Sequence, residues 1–194
     1  KSNAIKHFGN LHIKMKVAKM FDSIAFRYDF LNRFLSAGID VGWRKKAIAQ
    51  LKELKPQMVL DVATGTADVA LMTYSALQPQ KIIGIDISDG MLELGRKKIE
   101  KRNLQAFIEL QHGDSENIHY PDNYFDGVTV AFGVRNFQNL EKGLKEMLRV
   151  LKPGGKLVVL EFSKPKQKGF KGFYNFYMKV VAPGAGSLFS GNKC

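Results

Sequence analysis

The chain has 194 residues, 45% hydrophobic and 25% charged, with one cysteine, Cys194, at its last position. This length favours one domain, and the composition excludes a wholly disordered chain. A lone cysteine excludes an internal disulfide framework and a cysteine-rich zinc site, and it fits a reducing, cytoplasmic compartment. The formal net charge of +12 is unevenly placed. Residues 1–56 carry 12 Lys/Arg against 4 Asp/Glu, residues 57–141 carry 7 against 12, and residues 142–194 carry 11 against 2. Basic flanks around a mildly acidic centre suit nucleic acid, an anionic membrane surface or an anionic substrate. The plainer account is a solvated lysine-rich surface, because many of these lysines fall on amphipathic helical patterns. No apolar run approaches the roughly 18–20 residues that span a bilayer. The first residues show no signal-peptide core.

Residues 14–36 predict a helix, with Val17, Met20, Phe21, Ile24, Tyr28, Leu31 and Leu35 at spacings of three and four and Gly38 as its stop. A second helix is expected over about 40–54, ended by Pro56. Strands and helices then alternate. Met58–Val62 reads as a buried strand, 67–78 as a helix, Lys81–Asp86 as a second strand, and about 88–103 as a helix capped by Ser88. Strands follow at 106–111 and 125–132, then a helix at 138–151. The turn Pro153-Gly154-Gly155 leads into a strand at 156–162. An aromatic helix over about 170–182 and a glycine-rich loop complete the chain. The alternation implies parallel crossovers, hence an α/β fold with a doubly wound, Rossmann-like sheet of five strands. The strands are short continuous apolar runs, as helices on both faces of a sheet require. In this reading 1–56 is a helical N-terminal addition, 57–162 the core and 163–194 a C-terminal helix and loop, within one domain.

Ligands bind such sheets at the carboxyl ends of the strands. Three polar features fall there. Asp61-Val62-Ala63-Thr64-Gly65-Thr66-Ala67-Asp68 joins the first strand to its helix, and its small residues let backbone approach a ligand closely. Asp86 ends the second strand 21 residues after Gly65, the spacing at which an acid accepts hydrogen bonds from a ribose diol. Gly113-Asp114-Ser115 follows the third strand, where a carboxylate reaches an adenine amino group. Taken singly, each has a plain structural account: a tight turn, a helix cap, a turn aspartate. In order on one edge of the sheet, they point to a nucleoside. A dinucleotide would want Gly-x-Gly-x-x-Gly to seat a pyrophosphate on a helix N-terminus. Here only Gly65 is glycine, and Asp61 and Asp68 would repel an anion while attracting an ammonium or a sulfonium. That favours S-adenosylmethionine (AdoMet) over a nicotinamide dinucleotide.

At this point the chain resembles the class I AdoMet-dependent methyltransferases, and within them the demethylmenaquinone/2-polyprenyl-benzoquinol C-methyltransferase family. The resemblance is carried by residues 17–25 with Arg27-Tyr28-Asp29, and by Leu35-Ser36-Ala37-Gly38-Ile39-Asp40 with Trp43-Arg44. It continues in Tyr124-Phe125-Asp126, Phe132-Gly133-Val134-Arg135-Asn136-Phe137, Leu151-Lys152-Pro153-Gly154-Gly155 and Leu160-Glu161-Phe162-Ser163. It covers about 17–194, and the N-terminal and Phe-Gly-Val-Arg-Asn-Phe stretches are its specific parts. The resemblance implies AdoMet contacts at Thr66, Asp86, Asp114 and Ser115, alongside the Asp61 and Gly65 of the first loop. It places a serine contact where this chain has Ala131 and a glycine where it has Ala67. It also implies a final strand pair past Cys194, so the sequence is expected to be a truncated or partly unobserved form of a longer chain.

The implied reaction methylates a ring carbon of a prenylated quinol, demethylmenaquinol in the preferred reading, in menaquinone or ubiquinone biosynthesis. The ring becomes nucleophilic when an ortho hydroxyl ionises, and phenols ionise near pH 10 in water. Arg135 is the candidate stabiliser of that oxyanion, with a structural pairing to a carboxylate as its plainer role, and the resemblance places Asn136 beside it in the active site. Tyr28 and Asp22 are candidates for the quinol pocket, with helix packing and capping as their plainer roles. His112 and His119 flank the Asp114 loop and are weaker candidates for moving a proton. No residue spacing suggests a metal site. The basic flanks suit peripheral contact with an anionic membrane at its inner face, and a homodimer is compatible with these features. Two readings compete. One is another small-molecule or RNA methyltransferase on this fold, disfavoured because no Asn-Pro-Pro-Tyr-type motif follows the fourth strand. The other is a protein that holds AdoMet without turnover.

Overall fold

A computed structural model describes residues 14–23, 25 and 38–161. Tyr28 and the expected aromatic helix at 170–182 lie outside the described residues. Residues 14–23 are helical, as their apolar spacing predicts. Helix α1 (Ile39–Ala49) follows, then a short 3-10 turn at Lys52–Leu54. The helix expected over 40–54 therefore breaks near Gln50, whose N–H turns back to the Ala47 carbonyl. Strands β1 (Met58–Val62), β2 (Lys81–Asp86), β3 (Ile108–His112), β4 (Phe125–Ala131) and β5 (Leu151–Leu160) alternate with helices α2 (Asp68–Leu77), α3 (Asp89–Lys101) and α4 (Leu140–Val150).

The five strands form one parallel sheet in the order β3-β2-β1-β4-β5. Successive side chains on a strand face opposite ways, and both faces are covered. Val59, Ile82, Ile108 and Leu110 meet Ala70 and Leu71 of α2 and Leu92 and Ile99 of α3. Leu60, Val62, Ile83, Ile85, Val128 and Val130 meet Met147 and Val150 of α4 on the other face. This two-sided burial explains the unbroken apolar runs in the sequence. Gly84 is required by a close approach: a Cβ there would lie 2.6 Å from Leu110 Cδ2 and 2.9 Å from Thr64.

Ser88 caps α3 as expected, accepting the Met91 N–H at 3.2 Å. Asn139 caps α4 by accepting the Lys142 N–H at 3.0 Å, so that helix starts after the 138 expected from the sequence. Strand β5 begins before the Pro-Gly-Gly turn, because Leu151 already pairs with Phe125. The register then jumps so that Lys156 opposes Gly127, and residues 152–155 bulge opposite Asp126. The segment after β3 is fastened to α4 by Arg149, which donates to the carbonyls of Ile118 and Tyr120 at 2.8 Å and pairs with Glu146 and Asp122. Among the described residues, no helix is long and apolar enough to cross a membrane.

Candidate functional site

The strand order reverses between β1 and β4, and a crevice opens there beyond the carboxyl ends of the strands. It encloses about 770 Å³, its mouth included, and is lined by Gly65, Asp86, Asp114, Ser115 and Asn136 among others. The floor is the loop after β1. Ala63, Gly65 and Ala67 take positive φ of 53°, 57° and 64°. Side chains disfavour that region, so only small residues are tolerated cheaply there. The twisted loop directs the Gly65 N–H onto Asp86 Oδ2 at 2.8 Å.

Asp86 ends β2, and its Oδ1 accepts the Ser88 N–H at 2.9 Å. Burial raises its pKa, opposed by these backbone hydrogen bonds. Backbone donors, the Gly65 and Ser88 N–H groups among them, fix the carboxylate at the end of the strand. Asp114 lies just past β3, where its Oδ1 accepts the Glu116 N–H at 2.9 Å. Its Oδ2 receives the Lys14 ammonium at 2.5 Å, and Lys14 also reaches the buried Glu116 at 2.9 Å. Burial works to lower the Lys14 pKa, but the hydrogen bonds to these two carboxylates outweigh it and raise the value.

Lys14, Val17 and Phe21 share one face of the N-terminal helical residues and roof this crevice. Asp22 does not line it. Its Oδ1 accepts the Ser88 hydroxyl at 2.6 Å and the Gly90 N–H at 2.9 Å, which pins the roof to the start of α3. Of the two roles the sequence leaves open for Asp22, these contacts are the capping one, since a short carboxylate beside a helix N-terminus finds donors there.

A second, smaller chamber adjoins the crevice, and Ala63, Gly65, Ala131 and Phe132 border both. It is lined by Arg44, Asp61, Thr64, Thr66 and Asp68. Asp61 is fully buried, its oxygens accepting the Thr129 and Thr64 hydroxyls, each at 2.6 Å. Burial pushes its pKa up to about 6. Burial also acts to raise Asp68, but Lys98 at 2.7 Å and Arg44 at 2.9 Å hold it below the usual carboxylate value. Lys98 also donates to Thr66 Oγ1 at 2.9 Å, so Thr66 belongs to this chamber.

Phe132 follows β4 with φ of 59°, a strained conformation for a bulky residue, and lies 5.7 Å beneath the Arg44 guanidinium. A Cβ on Gly133 would come within 2.5 Å of the Ala63 Cβ, so small residues let these two loops meet. Of the two proposed catalytic residues, Asn136 lines the crevice. Arg135 sits on the same 3-10 turn, half-exposed, with its guanidinium 3.1 Å from Glu161 and outside the lining. His112 and His119 are exposed and turn to Asp89 and Asn117. The sequence reading missed Arg44, Lys98 and Lys14 as site residues. Arg44 stood inside a quoted motif, whereas neither lysine carried a local signal.

A profile of the ubiE/COQ5 methyltransferase family matches residues 11–193. The demethylmenaquinone methyltransferase of Bacteroides fragilis is 49% identical over 175 residues, which cover 90% of this chain and 71% of that protein. The ubiquinone/menaquinone biosynthesis C-methyltransferase UbiE of Geotalea daltonii is 49% identical over 177 residues, covering 90% of this chain and 75% of the relative. Among solved structures, a Bacillus halodurans protein described as a candidate methyltransferase superposes with a TM-score of 0.56 at 31% identity. That match covers 70% of this chain and 58% of the other.

Proposed function

The chain belongs to the ubiE/COQ5 methyltransferase family, and from that premise we propose that it transfers a methyl group from AdoMet to a ring carbon of demethylmenaquinol. One observation supports this most: Asp86, Asp114 and Gly65 converge on a single crevice that continues to Asn136. The residues fit the cofactor. Asp86 offers acceptors for a ribose diol, Asp114 an acceptor for an adenine amino group, and the 63–67 loop a close backbone. When bound, AdoMet supplies an electrophilic methyl on a sulfonium. Asp61 and Asp68 lend the adjoining chamber negative charge that favours a cationic group. Asn136 orients the quinol hydroxyl. Arg135 leaves Glu161 to stabilise the phenolate, directly or through water. Alignment of ring carbon and methyl supplies much of the remaining acceleration. The acceptor's prenyl tail belongs to a bilayer, and the basic flanks hold the protein at an anionic membrane surface.

The test incubates radiolabelled AdoMet with short-chain demethylmenaquinol under reducing conditions and counts label extracted with the quinol. Label in menaquinol is expected. Arg135→Ala should lower kcat by about two orders of magnitude or more. Because its ion pair is half-exposed, the same change should shift stability by less than about 1 kcal/mol. No label with AdoMet binding intact, or an unchanged kcat in the variant, overturns the reading.

A further inference from the structure

We propose that residues 14–23 dock on an anionic lipid bilayer through the face they turn away from the crevice. The inference rests on the prenylated acceptor proposed above and names the surface that meets the acceptor's membrane. The helix is two-sided. Lys14, Val17 and Phe21 line the crevice. At about 100° per residue, Met15, Lys16, Lys19, Met20 and Ser23 fall within an arc of about 140° on the other side. All five are exposed, Met15 at 48% and Met20 at 49%. Asp22 lies between the two faces, and its carboxylate is taken up by the Ser88 hydroxyl and the Gly90 N–H. Among the described residues, Lys16 and Lys19 pair with no carboxylate.

Apolar side chains and cations on one exposed helix face suit a membrane interface. Ammonium groups reach lipid phosphates on flexible stems, and methionine enters the boundary between headgroups and acyl chains. A nucleic acid would use the two lysines and leave both methionines in water. The surrounding charge agrees, since residues 1–56 carry 12 Lys/Arg against 4 Asp/Glu and anionic lipid attracts each cation near its surface. Position favours a bilayer over an apolar partner protein. This helix roofs the crevice, so seating its outer face on lipid sets the crevice at the membrane surface. A quinol ring then enters the crevice while its prenyl tail stays among acyl chains.

The test sediments the protein at low salt with vesicles of phosphatidylcholine, with and without phosphatidylglycerol. Binding should require phosphatidylglycerol. Lys16→Gln with Lys19→Gln should weaken it about 25-fold, about fivefold per lysine. Met15→Gln with Met20→Gln should weaken it about tenfold. The control removes equal charge at Lys101 and Arg102, both exposed and roughly 18 Å along α3 from the end that Asp22 touches. Lys101→Gln with Arg102→Gln should change binding by less than about threefold. All these side chains are on the surface, so each double variant should melt within about 2 °C of wild type. Equal loss in the Lys16/Lys19 pair and the control overturns the assignment, because charge then acts wherever it sits. Binding indifferent to the two methionines overturns it as well. A wild-type protein that ignores anionic vesicles removes the bilayer and leaves this face to a protein partner. Methylation of short-chain demethylmenaquinol needs no vesicle and reads the acceptor separately. Label without vesicle binding overturns docking alone, and vesicle binding without label overturns the acceptor alone.

Discussion

Asp61 is the most confined charge at the site, held between two threonine hydroxyls and shielded from water. Its pKa, pushed up to about 6 from the model-peptide value of 3.8, means the folded state holds a proton more tightly than the unfolded chain. Stability therefore falls as pH rises from about 4 to about 6, and above that the full cost of about 3 kcal/mol persists. Arg44 attracts the charged form and Asp86 repels it. Asp61→Asn removes the titration, so the melting-temperature difference between variant and wild type should move in the variant's favour from pH 4.5 to pH 7.5. A difference that ignores pH sinks the idea. Residue by residue, legibility was uneven. Asp86, Asp114 and Ser115 announced themselves by position after apolar strands, because a strand's end is where a fold can present polar groups. Arg44 could not be placed from the sequence, since nothing in helical periodicity says that α1 passes behind the β1 loop. Asp22 was found near the site with a pocket role and a capping role both open, because a carboxylate looks the same in sequence whether it faces substrate or a helix N-terminus.

Strand β2 shows how an element transmits packing to chemistry. Gly84 leaves room for Leu110 on one neighbour and Thr64 on the other. Thr64 in turn donates to Asp61. Gly84→Ala overpacks this point and should cost about 1–3 kcal/mol in chemical denaturation. Because Thr64 has to shift, AdoMet affinity should weaken in the same variant. Lower stability with unchanged affinity would show that the strain dissipates elsewhere. Most elements were legible from apolar runs and caps, and Ser88 announced α3 on its own. The start of β5 was not, because a Pro-Gly-Gly sequence marks a turn but cannot say whether the strand resumes the same pairing beyond it. Here the turn is a bulge within one strand pairing with β4. Asn139 went unread because Gln138 before it looked equally helical.

For the whole molecule, alternating strands and helices already implied a parallel sheet. The reversal between β1 and β4, which opens the crevice, follows from where chain returns after β3, and no local pattern encodes it. The charge asymmetry was legible as a fact and open as to partner. Each lysine or arginine near an anionic surface contributes about 1 kcal/mol, so several exposed together are enough for reversible attachment. Vesicles containing anionic lipid should sediment the protein at low salt and release it as salt rises. Failure to sediment at low salt excludes the membrane role without touching the chemistry.

The Lys14 ammonium, seated on Asp114 and Glu116, carries one further consequence. A cofactor whose adenine requires Asp114 meets a tethered rival already in place. Being part of the same chain, that rival acts at a fixed effective concentration that dilution does not change. The apparent affinity for cofactor is then the intrinsic affinity scaled by the fraction of molecules in which the roof has released the carboxylate. On the proposed adenine site, a residue remote from every motif in the crevice would then set the occupancy of all of them.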